Sequence, residues 1–343
     1  MRPPTNYDAF QVLLLQLQGD GRDDLLLGES AARVRSAIEP FLVGEKLPNA
    51  YLEFPLIGDP FLDVTILYSE LAPSTHVESP AAGNTEALFN WFAEAHRDHD
   101  DISFGFELDT KEPQLPRAAV HFQPRAHIEL AEPFCAIVGE PDRARTYLDM
   151  ARRMPQGWPL SFFGMFRGRP GSPLRVCGYL DPSEQANCAH DPLQVAAALD
   201  EVGFSAYDDK LLNEASELMA ACPGTVDFQF DVYPDGHVGD TFALDVQFNI
   251  EQPEAVQASF DNGPGSHVTK LLERWGIADK RWRDAINATF ARALPVQLED
   301  GAIGRYSFTL MPQWVKVRWR KGVLQPAKLY FLANAGLLND QES

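Results

Sequence analysis

The chain has 343 residues, 45% of them hydrophobic, and a net charge of −20 from 29 basic and 49 acidic side chains. The apolar fraction supports a packed core, and the acidic balance argues against nucleic acid and anionic membranes, both held by neutralising phosphates with Lys and Arg. There is no run of about 18 apolar residues and no basic region followed by an apolar core at the start, so neither a transmembrane helix nor a signal peptide is expected.

Cys135, Cys177, Cys188 and Cys222 are scattered without metal-type pairing, which reads as reduced thiols in a cytoplasmic protein. Cys188 and His190 are close, but no second pair completes a zinc site.

In chain order, residues 7–18 are apolar and fit either a strand or a helix. Ser30 is placed to cap a helix over AARVRSAIEPFL. A first hairpin follows, AYLEFPL and FLDVTILY around Gly58-Asp59-Pro60, and then a helix, TEALFNWFAEAHRDH, capped by Asn84. The second hairpin is ISFGFELD and RAAVHFQP, with a turn over 110–115. AHIELAEPFCAIVG after it is ambiguous, and Pro141 opens a helix over RARTYLDMARRM. The third hairpin is LSFFGMFR and LRVCGYL, with a turn over 168–173, followed by helices LQVAAALDEV and KLLNEASELMAA. The fourth is VDFQFDVY and TFALDVQFNI around Pro234-Asp235-Gly236. Ser266 is placed to cap HVTKLLERW, and KRWRDAINATFARAL follows. Residues 305–334 form the fifth hairpin, turning near Lys321-Gly322.

Every hairpin alternates with period two, one face apolar and the other polar. In the fifth, Trp314, Lys316, Arg318, Arg320, Lys328 and Tyr330 oppose Val315, Val317, Trp319, Leu329 and Phe331. The unit of hairpin and helix recurs about five times at intervals of roughly 50–65 residues, which calls for one repeat architecture. Two arrangements satisfy it. An open antiparallel sheet would carry helices on one face and water on the other. A closed barrel of ten strands would remove the bare edges and enclose the polar face as a lumen.

The hairpin–helix repeats, with FLDVTILY, FDVYPDGHVGDTFALDVQF and WVKVRWRKGVLQPAKLYF, resemble the ABBA-type (PT-barrel) prenyltransferases, over roughly residues 50–334. These include soluble aromatic, indole and cyanobactin peptide enzymes. The resemblance implies an α+β fold of five hairpin–helix repeats closing a ten-stranded antiparallel barrel with helices outside. It implies a single domain over 1–343, with 1–48 as extension and first helix, 49–334 as repeats and 335–343 as a tail. It implies transfer of a dimethylallyl or geranyl group from an allylic diphosphate to an aromatic small molecule or peptide, in natural-product or peptide modification.

By position, the resemblance puts Arg117, Arg175, Lys316, Arg318 and Lys328 on the diphosphate. It makes Tyr179, Tyr233 and Tyr330 a shield for the allylic cation and Glu53 the proton acceptor. Asp63 falls where some members keep an acidic residue near Mg²⁺; no organic cofactor is implied. Independently of the resemblance, five cations on inner faces of so acidic a chain have a reason to be there if they bind an anion.

The fourth hairpin departs from that pattern. Asp227, Asp231 and Asp245 lie on its inner face and would repel a diphosphate unless Mg²⁺ bridges them. They could instead receive a cationic acceptor, or pair with Lys316, Arg318 and Arg320 as a structural ion network. The second reading is therefore a barrel with other chemistry, or none, binding a basic peptide or small molecule. His96 and His99 have metal-pair spacing but sit at a helix end, where a solvated terminus is the plainer reading. The tract 231–242 has Tyr233 and Phe242 where a calcium loop needs carboxylates.

Overall fold

The computed structural model describes residues 2–19, 26–44, 47–69, 85–109, 118–166, 169 and 171–338. Its strands are β1 (Asn49–Pro55), β2 (Asp63–Tyr68), β3 (Ser103–Leu108), β4 (Ala119–Gln123), β5 (Leu160–Met165) and β6 (Leu174–Tyr179). They continue with β7 (Val226–Val232), β8 (Val238–Gln247), β9 (Phe290–Gln297), β10 (Ile303–Arg320), β11 (Val323–Leu324) and β12 (Lys328–Leu337). β1 to β8 pair in sequence order, β12 pairs with β1, and β10 lies between β12 and β8. The register Trp314↔Gln247, Lys316↔Asp245, Arg318↔Ala243 and Arg320↔Thr241 joins β10 to β8 and closes the ring. Ten antiparallel strands thus form a barrel, and the open-sheet arrangement is excluded.

β10 serves twice. Its second half is a barrel stave, while its first half runs on to pair with β9 through Ile303↔Gln297 to Leu310↔Phe290. Pro312, which lacks an N–H for the ladder, sits at the register shift between Pro312 and Trp314. The turn beyond β10 uses positive φ at Lys321 and Gly322.

The helices are α1 (Asn6–Gln18), α2 (Ser30–Ile38), α3 (Thr85–Asp98), α4 (Ala131–Ile137), α5 (Pro141–Ala151) and α6 (Pro182–His190). After them come α7 (Pro192–Val202), α8 (Asp209–Ala221), α9 (Pro253–Asp261), α10 (Pro264–Arg274) and α11 (Arg281–Ile286). α7 shows why the chain bends where it does. Asp191 accepts from the Leu193 N–H, Pro192 takes the first turn, and Gly203 ends the helix at φ 88°. Outward side chains such as Phe54, Ile66, Phe106, Phe122, Val176, Phe228, Phe242, Val317 and Phe331 are buried in the helix layer. The core is therefore the annulus between barrel and helices, and the polar strand faces are left to the lumen.

Several local expectations change. Residues 7–18 lie in a helix, as do most of the ambiguous 126–139. Ser30 begins α2 without a side-chain cap, and Ser266 is a buried residue inside α10, whose cap is Gly263. α6, α9, β9 and β11 were not anticipated. β12 runs to Leu337, three residues past the expected end of the repeats. Asn84 and the turn over 110–115 lie outside the described residues. No described helix is long and apolar enough to cross a membrane.

Candidate functional site

Because all five hairpin turns point to one end, each stave contributes a defined depth of lumen. Residues near the turns form one layer, and residues near the helical connections form another. The turn-end layer is ionic. Arg175 donates to Asp231, with Nε 3.0 Å from Oδ1. Lys328 pairs with Glu53 and lies 3.3 Å from Asp63. Arg169 reaches Glu107 at 3.2 Å and Asp109 at 3.6 Å. Lys316 donates to the Tyr330 hydroxyl at 2.8 Å and stands 3.8 Å from Asp245. Arg318 lines the same space and has no ion pair among the described residues. The open volume here is only about 30 Å³.

The protonation states follow from this packing. Burial pushes the Glu53 carboxyl up, but Lys328 and Lys316 outweigh it and hold it below the usual range. Burial also raises Glu107, and the His121 hydrogen bond and Arg169 more than reverse it. Burial lowers the Arg318 guanidinium, helped by the like charge of Arg175, while Asp231 and Glu107 overcome burial to raise Arg175. The layer is a set of compensated pairs with Arg318 left over.

Beyond a waist formed by Glu107, Arg175, Gln229, Lys316 and Tyr330, the lumen opens into a chamber of about 340 Å³. One wall is aromatic. Trp314 stacks on Tyr330 at 4.9 Å and 20°, and Tyr51 lies 4.7 Å from Trp314, tilted at 51°. Tyr179, receiving a hydrogen bond from Arg125, and Phe162 line the chamber as well. Asp227 and Asp245 face each other across β7 and β8. Burial and the Asp245 charge push Asp227 up to about 8, and burial, with Glu53 adding to it against the pull of Lys316, brings Asp245 to about 6.

Of the residues singled out in the sequence, Glu53, Arg175, Lys316, Arg318, Lys328, Tyr330, Asp231 and Asp245 thus line the lumen together, with Asp63 behind Lys328 and with Tyr179 and Asp227 deeper. Tyr233 is off the cavity wall. It lies past the end of β7, which stops at Val232, and in the turn it stacks on His237 at 4.5 Å. Arg117 lies outside the described residues. Of the expected ion network only Lys316 with Asp245 forms, between neighbouring strands; Asp231 is taken by Arg175, Asp227 and Arg318 have no ion pair among the described residues, and Arg320 turns out to Asp240.

Arg169, Glu107, Arg125, Tyr51 and Trp314 were not assigned roles. Glu107, Tyr51 and Trp314 were readable from inward alternation, whereas Arg169 and Arg125 sit in turns where no period applies. Asp63 and Glu53 share Lys328 rather than converging on a vacancy, and no group of three His, Cys, Asp or Glu that could hold a metal occurs among the described residues. Among the described residues no all-protein cage for Mg²⁺ forms. His99 packs on His127 at 4.2 Å without completing a metal site.

No protein-family model matches the sequence, and no curated protein matches it. Solved structures do. The 5-dimethylallyltryptophan synthase from Streptomyces coelicolor is similar at TM-score 0.53 and 13% identity, over 99% of each chain. The prenyltransferase PriB in its apo form is similar at TM-score 0.53 and 12% identity, over 97% of this chain and 96% of that one. The Streptomyces enzyme has also been solved with DMASPP and Trp, a complex similar at TM-score 0.52 and 13% identity over 99% of this chain and 96% of that one. At these identities the likeness is one of fold.

Proposed function

From a chain that carries the PT-barrel fold of the ABBA-type prenyltransferases, we propose that it transfers an isoprenoid group from an allylic diphosphate to an aromatic acceptor inside the lumen. The observation that carries this reading is the layering: a cationic layer opens directly onto an aromatic chamber, with Tyr330 belonging to both. The diphosphate takes the layer of Arg169, Arg175, Arg318, Lys316 and Lys328. Their charge stabilises the negative charge that grows on the leaving group as the allylic C–O bond breaks. Tyr330, Trp314 and Tyr51 face the resulting cation and exclude water from it. The acceptor's ring carbon attacks, and the displaced proton goes to Glu53, kept ionised by Lys328 and Lys316.

The ion pairs set a condition on this reaction. The diphosphate must exchange with carboxylates that already occupy the cations. Arg318, without one, is the natural first contact, and protonation of Asp245 near pH 6 releases Lys316. The same pairs favour a second reading, a barrel that binds its ligand without chemistry.

Calorimetric titration with dimethylallyl thiolodiphosphate, which cannot readily react, separates the two. Saturable binding supports transfer. A folded sample that binds neither this analogue nor its geranyl counterpart between pH 6 and 8 would sink the transferase reading and leave the binding barrel.

A further inference from the structure

Asp227 and Asp245 are not needed by the donor, and their surroundings give them another occupant. Each carboxylate is tied down by one oxygen only. Gln247 donates to Asp227 Oδ2 at 3.0 Å, and Gln229 donates to Asp245 Oδ2. The other oxygen of each, Oδ1, is buried without a hydrogen-bond partner, in side chains only 6% and 4% exposed. A buried acceptor left without a donor is destabilising, and more so when charged. The two residues are cross-strand partners on neighbouring strands and both line the chamber, so each brings an oxygen without a donor to its edge. The nearby cations do not supply one. Lys316 stands 3.8 Å from Asp245 on the Oδ2 side, and Asp227 has no ion pair among the described residues.

We propose that the Asp227–Asp245 pair binds a cationic nitrogen group of the acceptor, so that the substrate class is an aromatic compound carrying an ammonium or guanidinium. This rests on the reading of the chamber as the acceptor's site. An aromatic body on Tyr51, Trp314 and Tyr330, with its cation on the two carboxylates, uses both features of the chamber. It also accounts for carboxylates that would repel a diphosphate: in this arrangement they keep the acceptor's chamber distinct from the donor's.

The raised pKa of Asp227 adds a signature. A cation binding beside it favours the ionised form, so binding at pH 7 releases protons. Among the described residues the other titratable and charged groups facing Asp227 are Asp245 on β8, Lys316 on β10, Arg125 after β4, Cys177 and Tyr179 on β6, and Cys222 at the end of α8.

The test is calorimetry on the full chain without donor, comparing tryptamine with 3-methylindole, in two buffers of different ionisation enthalpy. Tryptamine is expected to bind about tenfold or more tightly, the scale of a buried charge pair, with proton release. Asp227→Asn, which keeps the volume and can still bond Gln247, should remove both the preference and the proton release while leaving 3-methylindole affinity unchanged. Thermal melting verifies that the variant is folded. Asp245→Asn is the second variant and should weaken tryptamine selectively. Binding of both indoles with equal affinity, or an Asp227→Asn variant that keeps the tryptamine preference, overturns the inference while leaving the acceptor chamber standing. Binding of neither overturns the chamber reading and the inference with it. Donor binding is scored in a separate titration, so its failure is not confused with either result.

Discussion

Arg318 is the cation of the turn-end layer without an ion pair among the described residues, and Arg175 is held by Asp231. Their substitutions should therefore act in different ways. Arg318→Ala removes a free charge and should weaken dimethylallyl thiolodiphosphate binding about 10–100-fold, the range for a hydrogen bond to a charged group, with little change in melting temperature. Asp231→Asn releases Arg175 and should tighten the same ligand several-fold while lowering the melting temperature, since a buried cation loses its partner. Calorimetry and thermal melting read both. An Asp231→Asn variant that binds the donor more weakly would show that the pair, not the free cation, shapes the site.

Asp227 makes a pH prediction. Its folded value of about 8 lies above the ordinary 3.8, so the folded state holds the proton more tightly than the unfolded chain. That contribution is fully present below the ordinary value and is lost as pH rises towards 8. Asp227→Asn abolishes it. The melting temperature of the variant minus that of the wild type should rise from pH 5 to pH 8 and level off above. Glu53 and Glu107, depressed in the fold, run the opposite way, their contributions lost as pH falls below the ordinary 4.5. They are present in both proteins and cancel in the difference. A difference that stays flat from pH 5 to 8 would remove Asp227 from the list of raised groups.

At the scale of elements, the staves depend on glycines where two backbones or a ring approach closely. A Cβ on Gly178 in β6 would stand 2.0 Å from the Pro159 carbonyl oxygen and 2.6 Å from the Phe228 ring. Gly178→Ala should cost at least the 1–3 kcal/mol or so typical of overpacking, read by chemical denaturation. Gly164 in β5 does the same for the site, because a Cβ there would meet the His121 ring at 2.6 Å. Gly164→Ala should push His121 off Glu107, read as a change in the ring proton resonances of His121 by NMR. Period-two alternation placed these strands and their inward faces correctly. It failed at Tyr233, which lies past the end of β7 in the turn, and it had nothing to say of Arg169 and Arg125, whose turns have no period.

The whole molecule depends on one closure. β10 must hold β8 on one edge and β12 on the other, and no local sequence signal marks that pairing. Val317 is buried in the middle of the seam, paired with Leu244. Val317→Pro removes a ladder donor there and should cost the barrel its cooperative unfolding transition and near-ultraviolet circular dichroism. Retention of both would show that the seam is not needed to keep the ring.

The sequence by itself determined the hairpins, the polar inner face and the apolar outer face, because side-chain alternation is a local consequence of strand geometry. It also carried the ten-strand ring as one of two arrangements. The tertiary structure decided between them, since only pairing across more than 60 residues brings Lys316 to Asp245. It likewise decided which charges meet. Lys328 and Glu53 are 275 positions apart, Arg175 and Asp231 56 apart. Whether a lumen cation is free or neutralised depends on the fractions of an ångström between strands that no spacing within the chain encodes. That is why the inner-face cations were readable as a group, while the solitary Arg318, the paired Arg175 and the half-satisfied Asp227 and Asp245 became visible only when the barrel closed around them.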